Sequence, residues 1–383
     1  MQDYLANMQM NDSLTDRIGS RLKAARERAG LTQQQLAKAL GLEHRQTLTS
    51  IETGKRRLSA AELVRACSVL GTDLDYFTDS FRLVGEGRFS FRAHGAVAPN
   101  VLDQFEDRAG RWIATYRELT ACEGSEPEWL EHKLALSPRS TFEEAQAAGE
   151  WLVEQWRLGE RPAESLQDAM EEHLRALVLY VDAPAGISGA ASQVPGLSAV
   201  LVNRMEPEGR RHHDLAHELF HLLTWDVMPP ERIEPADAPR RGKGRRVEQL
   251  AENFAAAVLM PQARMRERWQ IRDPAADVHD WLNVTAQDFR VSAMACKWRC
   301  FNLDLLSNAD LADINDERLV ANGRPQDVLP PVERFSERFA QRIAAALEAG
   351  RLSVRRAASL LGLSLVELAT LLQNYGIEPS FEA

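Results

Sequence analysis

The sequence predicts a predominantly helical α+β protein built from more than one domain. Three observations carry that expectation. The segment 14–80 is a set of short helices punctuated by Gly30, Gly41, Gly54 and Gly71. In the middle of the chain, two apolar β-favouring runs, 177–181 and 197–202, precede two amphipathic helical patterns, 214–224 and 247–260. From residue 311 onward the spacing is helical again.

The 383 residues, 44% of them hydrophobic, are enough for two or three domains with real cores. No run of about 18 apolar residues occurs, so no membrane-spanning helix is expected. Residues 1–11 lack the apolar centre of a signal peptide. Cys67, Cys122, Cys296 and Cys300 form no Cys-x-x-Cys pair, so a disulfide framework is not expected and a reducing cytoplasm is.

Residues 1–13 read as a polar, disordered tail, and 14–80 as the first domain. Ile18, Leu22 and Ala25 share a helix face. Thr32 with Gln35 makes a capping-box start for a helix over 33–40, which Gly41 ends. A short helix over 47–53 and another over 60–70 follow. Residues 14–70 hold 11 Lys or Arg against 5 Asp or Glu, a local +6 on a chain whose net charge is −10. A basic block on an acidic chain suits an anionic partner, or a solvated helical surface.

Residues 81–150 read as a helical connector, with a polar break at 123–128. Residues 151–310 form the α+β domain. Between its two amphipathic helices a loop carries Pro229, Pro230, Pro235 and Pro239, then Arg240, Arg241, Lys243, Arg245 and Arg246. Residues 311–383 form a helical C-terminal region, in which Leu360-Leu361-Gly362-Leu363-Ser364 marks a helix–turn–helix break.

The most informative segment is His217-Glu218-Leu219-Phe220-His221. Residues four apart on an α-helix are offset by only about 40°, so both imidazoles face one way and can share a metal. Glu218 lies beside them, within reach of a water on that metal. A catalytic zinc site needs a third protein ligand. Glu248, in the first turn of the 247–260 helix, can supply it. Glu252, one turn on, can accept a hydrogen bond from a ligating imidazole. One Zn²⁺ per chain is therefore expected. The alternative is a helix whose histidines are satisfied by ordinary hydrogen bonds. For the oxyanion that peptide cleavage creates, His212, His213, Tyr180 and His279 are unranked candidates, and His212 and His213 read equally as solvent-exposed.

These residues, with Glu248-Gln-Leu-Ala-Glu-Asn-Phe-Ala255, Leu259-Met-Pro261, Ile187-Ser-Gly189, Leu201-Val-Asn203 and Phe289-Arg-Val-Ser292, resemble the ImmA/IrrE metallopeptidases over about 145–305. The resemblance implies a gluzincin-like zinc peptidase domain with a small sheet. It assigns His217, His221 and Glu248 as zinc ligands and Glu218 as the catalytic base. Phe220 stands where that family commonly has Gly, and Glu252 where it has Asn or Asp.

Residues 17–78 resemble the XRE family, the Cro/phage-repressor type of helix-turn-helix, through Leu31-Thr-Gln-Gln-Gln-Leu-Ala37, Gly41, Ile51-Glu52 and Gly54-Lys55. The resemblance implies that the third helix enters the major groove, with Arg45, Gln46 and Ser50 at base edges. Gln33 would then donate to a phosphate, and Lys55, Arg56 and Arg57 would follow the backbone. Ten residues separate Gly41 from Glu52, one more than that family commonly has, and the turn 42–44 is expected to absorb it. Cys296 and Cys300 share a helix face and read as small buried hydrophobes.

Together these readings describe a cytoplasmic transcriptional regulator that binds a DNA operator and has zinc endopeptidase activity. Its expected substrate is a helix-turn-helix repressor, whose cleavage derepresses a stress, defence or mobile-element operon. No membrane partner is expected, and a homodimer is left open. The competing reading is a non-catalytic regulator or antitoxin with a structural or silent zinc site. Glu218 separates the two, because a closed structural site has no use for an acid there.

Overall fold

The computed structural model describes residues 2–85, 87–95, 97–121, 133–235, 243–320 and 332–382. The chain divides into two compact units, one of residues 1–88 and 107–118, the other of 89–106 and 119–383.

The first unit contains α1 (Gln2–Arg28), α2 (Gln33–Leu40), α3 (Arg45–Glu52), α4 (Ala60–Leu70) and α5 (Leu74–Thr78). Thr32 and Gln35 make the reciprocal capping box at the start of α2, and Gly41 ends it in the left-handed region at φ 75°. Residues 42–44 form the turn, and α3 begins at Arg45, two residues before the expected 47. Leu22, Leu36, Leu40, Leu48, Ile51 and Phe77 close the core. A Cβ on Gly19 would lie 2.2 Å from the Ile51 carbonyl oxygen, so α1 and α3 cross closely only because that residue is glycine. The buried Arg26 guanidinium donates to Glu52 at 2.6 Å and ties the same two helices together.

Residues 2–13, part of the stretch expected as a disordered tail, continue α1 back to Gln2. Leu5, Ala6, Met8, Gln9 and Met10 are good helix formers, and neither Gly nor Pro interrupts them before Gly19.

The second unit is a sheet with helices packed against it. Its strands are β1 (Arg88–Ala93), β2 (Leu177–Val181), β3 (Ile187–Val194), β4 (Leu197–Asn203) and β5 (Ile233–Pro235), in spatial order β2-β4-β3-β1-β5. β2 runs parallel to β4, with Leu179 opposite Leu201, and β1 runs parallel to β5. β3 and β4 form an antiparallel hairpin closed by Pro195-Gly196, with Gly196 at φ 79°.

The segment 81–150, expected to be a mostly helical connector, also contains a strand. It supplies β1, whose Phe89–Ala93 stretch is buried, then α6 (Pro99–Ala121) and α7 (Phe142–Gln155). The expected boundary at 150/151 falls inside α7. A Cβ on Gly149 would lie 2.8 Å from the Phe254 carbonyl oxygen, so α7 packs directly on a helix of the α+β domain. The polar break at 123–128 lies outside the described residues.

α8 (Pro162–His173) leads into β2, and α9 (Glu208–Thr224) and α10 (Lys243–Leu259) follow the hairpin. α9 starts six residues before the expected 214. α10 begins at Lys243, so Lys243, Arg245 and Arg246 are helical rather than loop residues. Pro239, Arg240 and Arg241 lie outside the described residues. Leu215, Leu219, Phe220, Ala251, Phe254 and Val258 bury the two helices in one core. α11 (Gln262–Gln270), α12 (Val278–Phe289), α13 (Ala293–Asn302) and α14 (Asn308–Asp313) complete this part.

The C-terminal region contains α15 (Glu337–Glu348), α16 (Val354–Leu361) and α17 (Leu365–Asn374). Gly362, at φ 70°, ends α16, and Ser364 caps α17, at the break the sequence marks. No single helix among the described residues is long and apolar enough to cross a membrane.

Candidate metal centre

α9 carries His213, His217 and His221 at four-residue intervals, which puts all three on one face. Opposite lies the face of α10 that carries Glu248 and Glu252. Contacts between the two run in opposite chain directions: His217 meets Glu248 and His213 meets Glu252.

His217 Nε2 is 3.1 Å from Glu248 Oε2, and His221 Nε2 is 3.0 Å from His217 Nε2 and 3.6 Å from Glu248 Oε1. Among the described residues, these three offer ligand atoms that all lie within 4.8 Å of one another. Both histidines are fully buried. Two imidazole nitrogens and one carboxylate are a donor set that suits a catalytic zinc and leaves a fourth position for water.

Glu218 is also fully buried. A Cβ on Gly189 of β3 would sit 3.4 Å from Glu218 Oε1, so that residue leaves the carboxylate its space. Phe220, which stands where the family it resembles commonly has Gly, packs against Phe254 at 5.6 Å between ring centres, within the core.

Glu252, expected to accept a hydrogen bond from a ligating imidazole, lies 3.6 Å from His217 Nδ1, beyond hydrogen-bond distance, and has two closer partners. Its Oε1 accepts from Arg92 Nη2 at 2.5 Å, and its Oε2 is 3.0 Å from His213 Nε2. Burial raises the Glu252 pKa, but His213 and Arg92 outweigh it and hold the carboxyl well below the usual range. Arg92, from β1, also lies 3.6 Å from Asp214, a fully buried carboxylate three residues before His217. Neither Arg92 nor Asp214 was singled out in the sequence. No local motif carries them, although the acid–x–x–His spacing of Asp214 and His217 was visible.

A cleft of about 660 Å³ adjoins this face, lined by Arg92, Arg210, His213, Glu252, Met294 and Trp298 among others. Of the four oxyanion candidates, His213 is on the same face as His217, with ring centres 6.2 Å apart. The others are engaged elsewhere. His212 Nδ1 meets the Arg290 carbonyl at 2.8 Å, and His279 bonds Asp277 and the Asn315 amide. Tyr180 is in β2, where burial pushes its hydroxyl up to about 12. Neither His212 nor His213 is solvent-exposed; both are half-buried beside packed helices.

In the first unit, Arg45 and Gln46 are exposed in the opening turn of α3, and Ser50 is half-buried one turn on. Lys55, Arg56 and Arg57 are exposed just after α3. Arg56 Nη2 donates to Glu62 at 2.9 Å. Gln33 donates its amide to Glu52 at 2.8 Å, so its hydrogen goes to a carboxylate of the same unit.

Residues 22–77 match the family described as Helix-turn-helix, and residues 172–301 match the peptidase family described as IrrE N-terminal-like domain. The three residues of the metal cluster and Glu218 fall inside the second match, and Arg92 falls outside both. No curated protein matches the chain, and no solved structure does.

Proposed function

Because this chain joins an XRE-type helix-turn-helix domain to an ImmA/IrrE metallopeptidase domain, we propose that it is a DNA-binding regulator that cleaves a protein through a zinc centre. The observation that carries this reading is the convergence of His217, His221 and Glu248 within 4.8 Å. A buried glutamate stands next to the first ligand in sequence.

His217, His221 and Glu248 would hold the zinc, each through one atom. Zinc so held supplies Lewis acidity, lowering the pKa of a coordinated water toward about 7. Glu218 takes the proton from the attacking water and passes it to the amide nitrogen that leaves, as general base and then general acid. Its dry surroundings strengthen both roles, since charge interactions are less screened there. His213, whose Nε2 lies 3.0 Å from Glu252, would support charge developing on the carbonyl oxygen. The cleft beside this face is large enough for a few substrate side chains.

The substrate is a helix-turn-helix repressor, and its cleavage releases an operon. The first unit brings the enzyme to an operator through Arg45, Gln46 and Ser50, with Lys55 and Arg57 on phosphates. The test is Glu218→Gln, which preserves side-chain shape and zinc while removing the base. Loss of cleavage with retained zinc supports the enzyme. Unchanged operon induction, with no repressor fragment in either strain, favours the non-catalytic regulator or antitoxin.

A further inference from the structure

Arg92 comes from a strand outside both matched segments, yet it reaches into the centre of the second unit. Its side chain is 8% exposed. One nitrogen, Nη2, lies 2.5 Å from Glu252 Oε1, and Nε lies 3.6 Å from Asp214 Oδ1. The strand is held in place by neighbouring backbone: the His94 amide donates to the Gly186 carbonyl at 2.7 Å, where the chain enters β3.

We propose that Arg92 is a positioning residue for the metal centre: it fixes the Glu252 carboxylate as the outer partner of the ligand His217. The inference rests on the metal reading above. A ligating imidazole offers its Nε2 lone pair to a metal best when Nδ1 carries the proton and faces an acceptor. Glu252 Oε1 is the carboxylate oxygen that faces it, 3.6 Å from His217 Nδ1 and so beyond hydrogen-bond distance in this structure. Its side chain is 43% exposed, so packing does not by itself set where the carboxylate points. The guanidinium removes that freedom, because the oxygen nearest His217 is the one Arg92 holds. His213 secures the other oxygen at 3.0 Å. Burial would lower the Arg92 pKa, but Glu252 and Asp214 more than offset it, so the group stays cationic.

The plainer role for Arg92 is to neutralise Asp214. Truncating Arg92 alone would leave that acid buried with Arg210, 3.5 Å away, as its cationic partner among the described residues, and would destabilise the fold whatever happens to the metal. The test therefore uses full-length Arg92→Lys, which keeps the charge, and Arg92→Ala/Asp214→Asn, which removes both charges, with Asp214→Asn as the control. Zinc affinity is read by competition with a chromogenic chelator, and apo-protein melting is read in parallel.

The expected result is about a tenfold weaker zinc affinity in Arg92→Lys and about 10–100-fold in the double variant relative to the control, with apo melting matching its reference. Glu252→Gln should weaken zinc by a similar factor and add nothing further on the double-variant background, since both act through one carboxylate. Zinc affinities within twofold of their references in both Arg92 variants, or losses that add with Glu252→Gln, overturn the inference and leave the metal reading intact. A wild-type chain that binds no zinc removes the metal reading itself, and this inference with it.

Discussion

At the scale of single residues, the proposed centre depends on where three side chains end rather than on how strongly each binds. His217 and His221 are brought together by helical spacing and held by burial, so neither can turn away without opening the core. Glu248 differs: it is one-quarter exposed and has a rotamer choice. Glu248→Ala should leave two imidazoles that hold zinc weakly. The affinity loss should exceed the roughly 10–100-fold typical of outer partners. Chelator competition on purified protein measures it, and an unchanged affinity would remove Glu248 from the ligand set.

At the scale of elements, caps decide where the short helices of the first unit begin. Ser59 and Glu62 form a reciprocal box at the start of α4, and Glu62 is also held by Arg56. Burial raises the Glu62 pKa, but the Arg56 and Ser59 contacts outweigh it and leave it below its ordinary value. The unfolded chain thus binds more protons at Glu62 than the folded one. Its contribution is complete above the ordinary carboxylate value of about 4.3 and is lost as pH falls through the lower folded value. Thermal unfolding of wild type and Glu62→Gln should therefore differ most above about pH 5 and converge by about pH 3. A gap that does not change with pH would mean that Glu62 contributes only shape.

The same contrast explains what the sequence made legible. Capping boxes and left-handed glycines are local, so α2 and α4 were readable to the residue. α9 and α10 were readable from their apolar stripes, though not their starts: α9 opens at Glu208 without a side-chain cap. β3 was missed because Ile-Ser-Gly-Ala-Ala-Ser-Gln-Val is short of bulky β-branched residues and is buried on both faces. β1 was absorbed into a helical reading because its pairing partners are distant in sequence. Of the candidate centre, the cluster of His217, His221 and Glu248 was legible because one helix carries two of these residues and another carries the third. Arg92 was not, because it meets Glu252 across 160 residues.

At the scale of the whole molecule, the chain separates a basic helical segment from an acidic remainder, which suits two partners of different charge. We expect operator binding through the first unit to be salt-sensitive. Arg45→Ala should cost about 1–3 kcal/mol at the operator and relax its sequence preference. Lys55→Ala should weaken all DNA about equally and lower the salt dependence. Fluorescence anisotropy on operator and scrambled duplexes distinguishes these outcomes. Equal losses on both duplexes for Arg45→Ala would take that residue away from base reading.

The central claim is that one chain carries both a DNA-binding domain and a working peptidase. Its most direct test is the intact mass of the helix-turn-helix repressor encoded beside the gene, after incubation with purified zinc-loaded protein. The expected result is a single cut in the repressor by the wild-type chain. Glu218→Gln, with its zinc content unchanged, should cut it at least about 10²-fold more slowly. An equal rate of cleavage by both proteins, or an intact repressor with both, would contradict it.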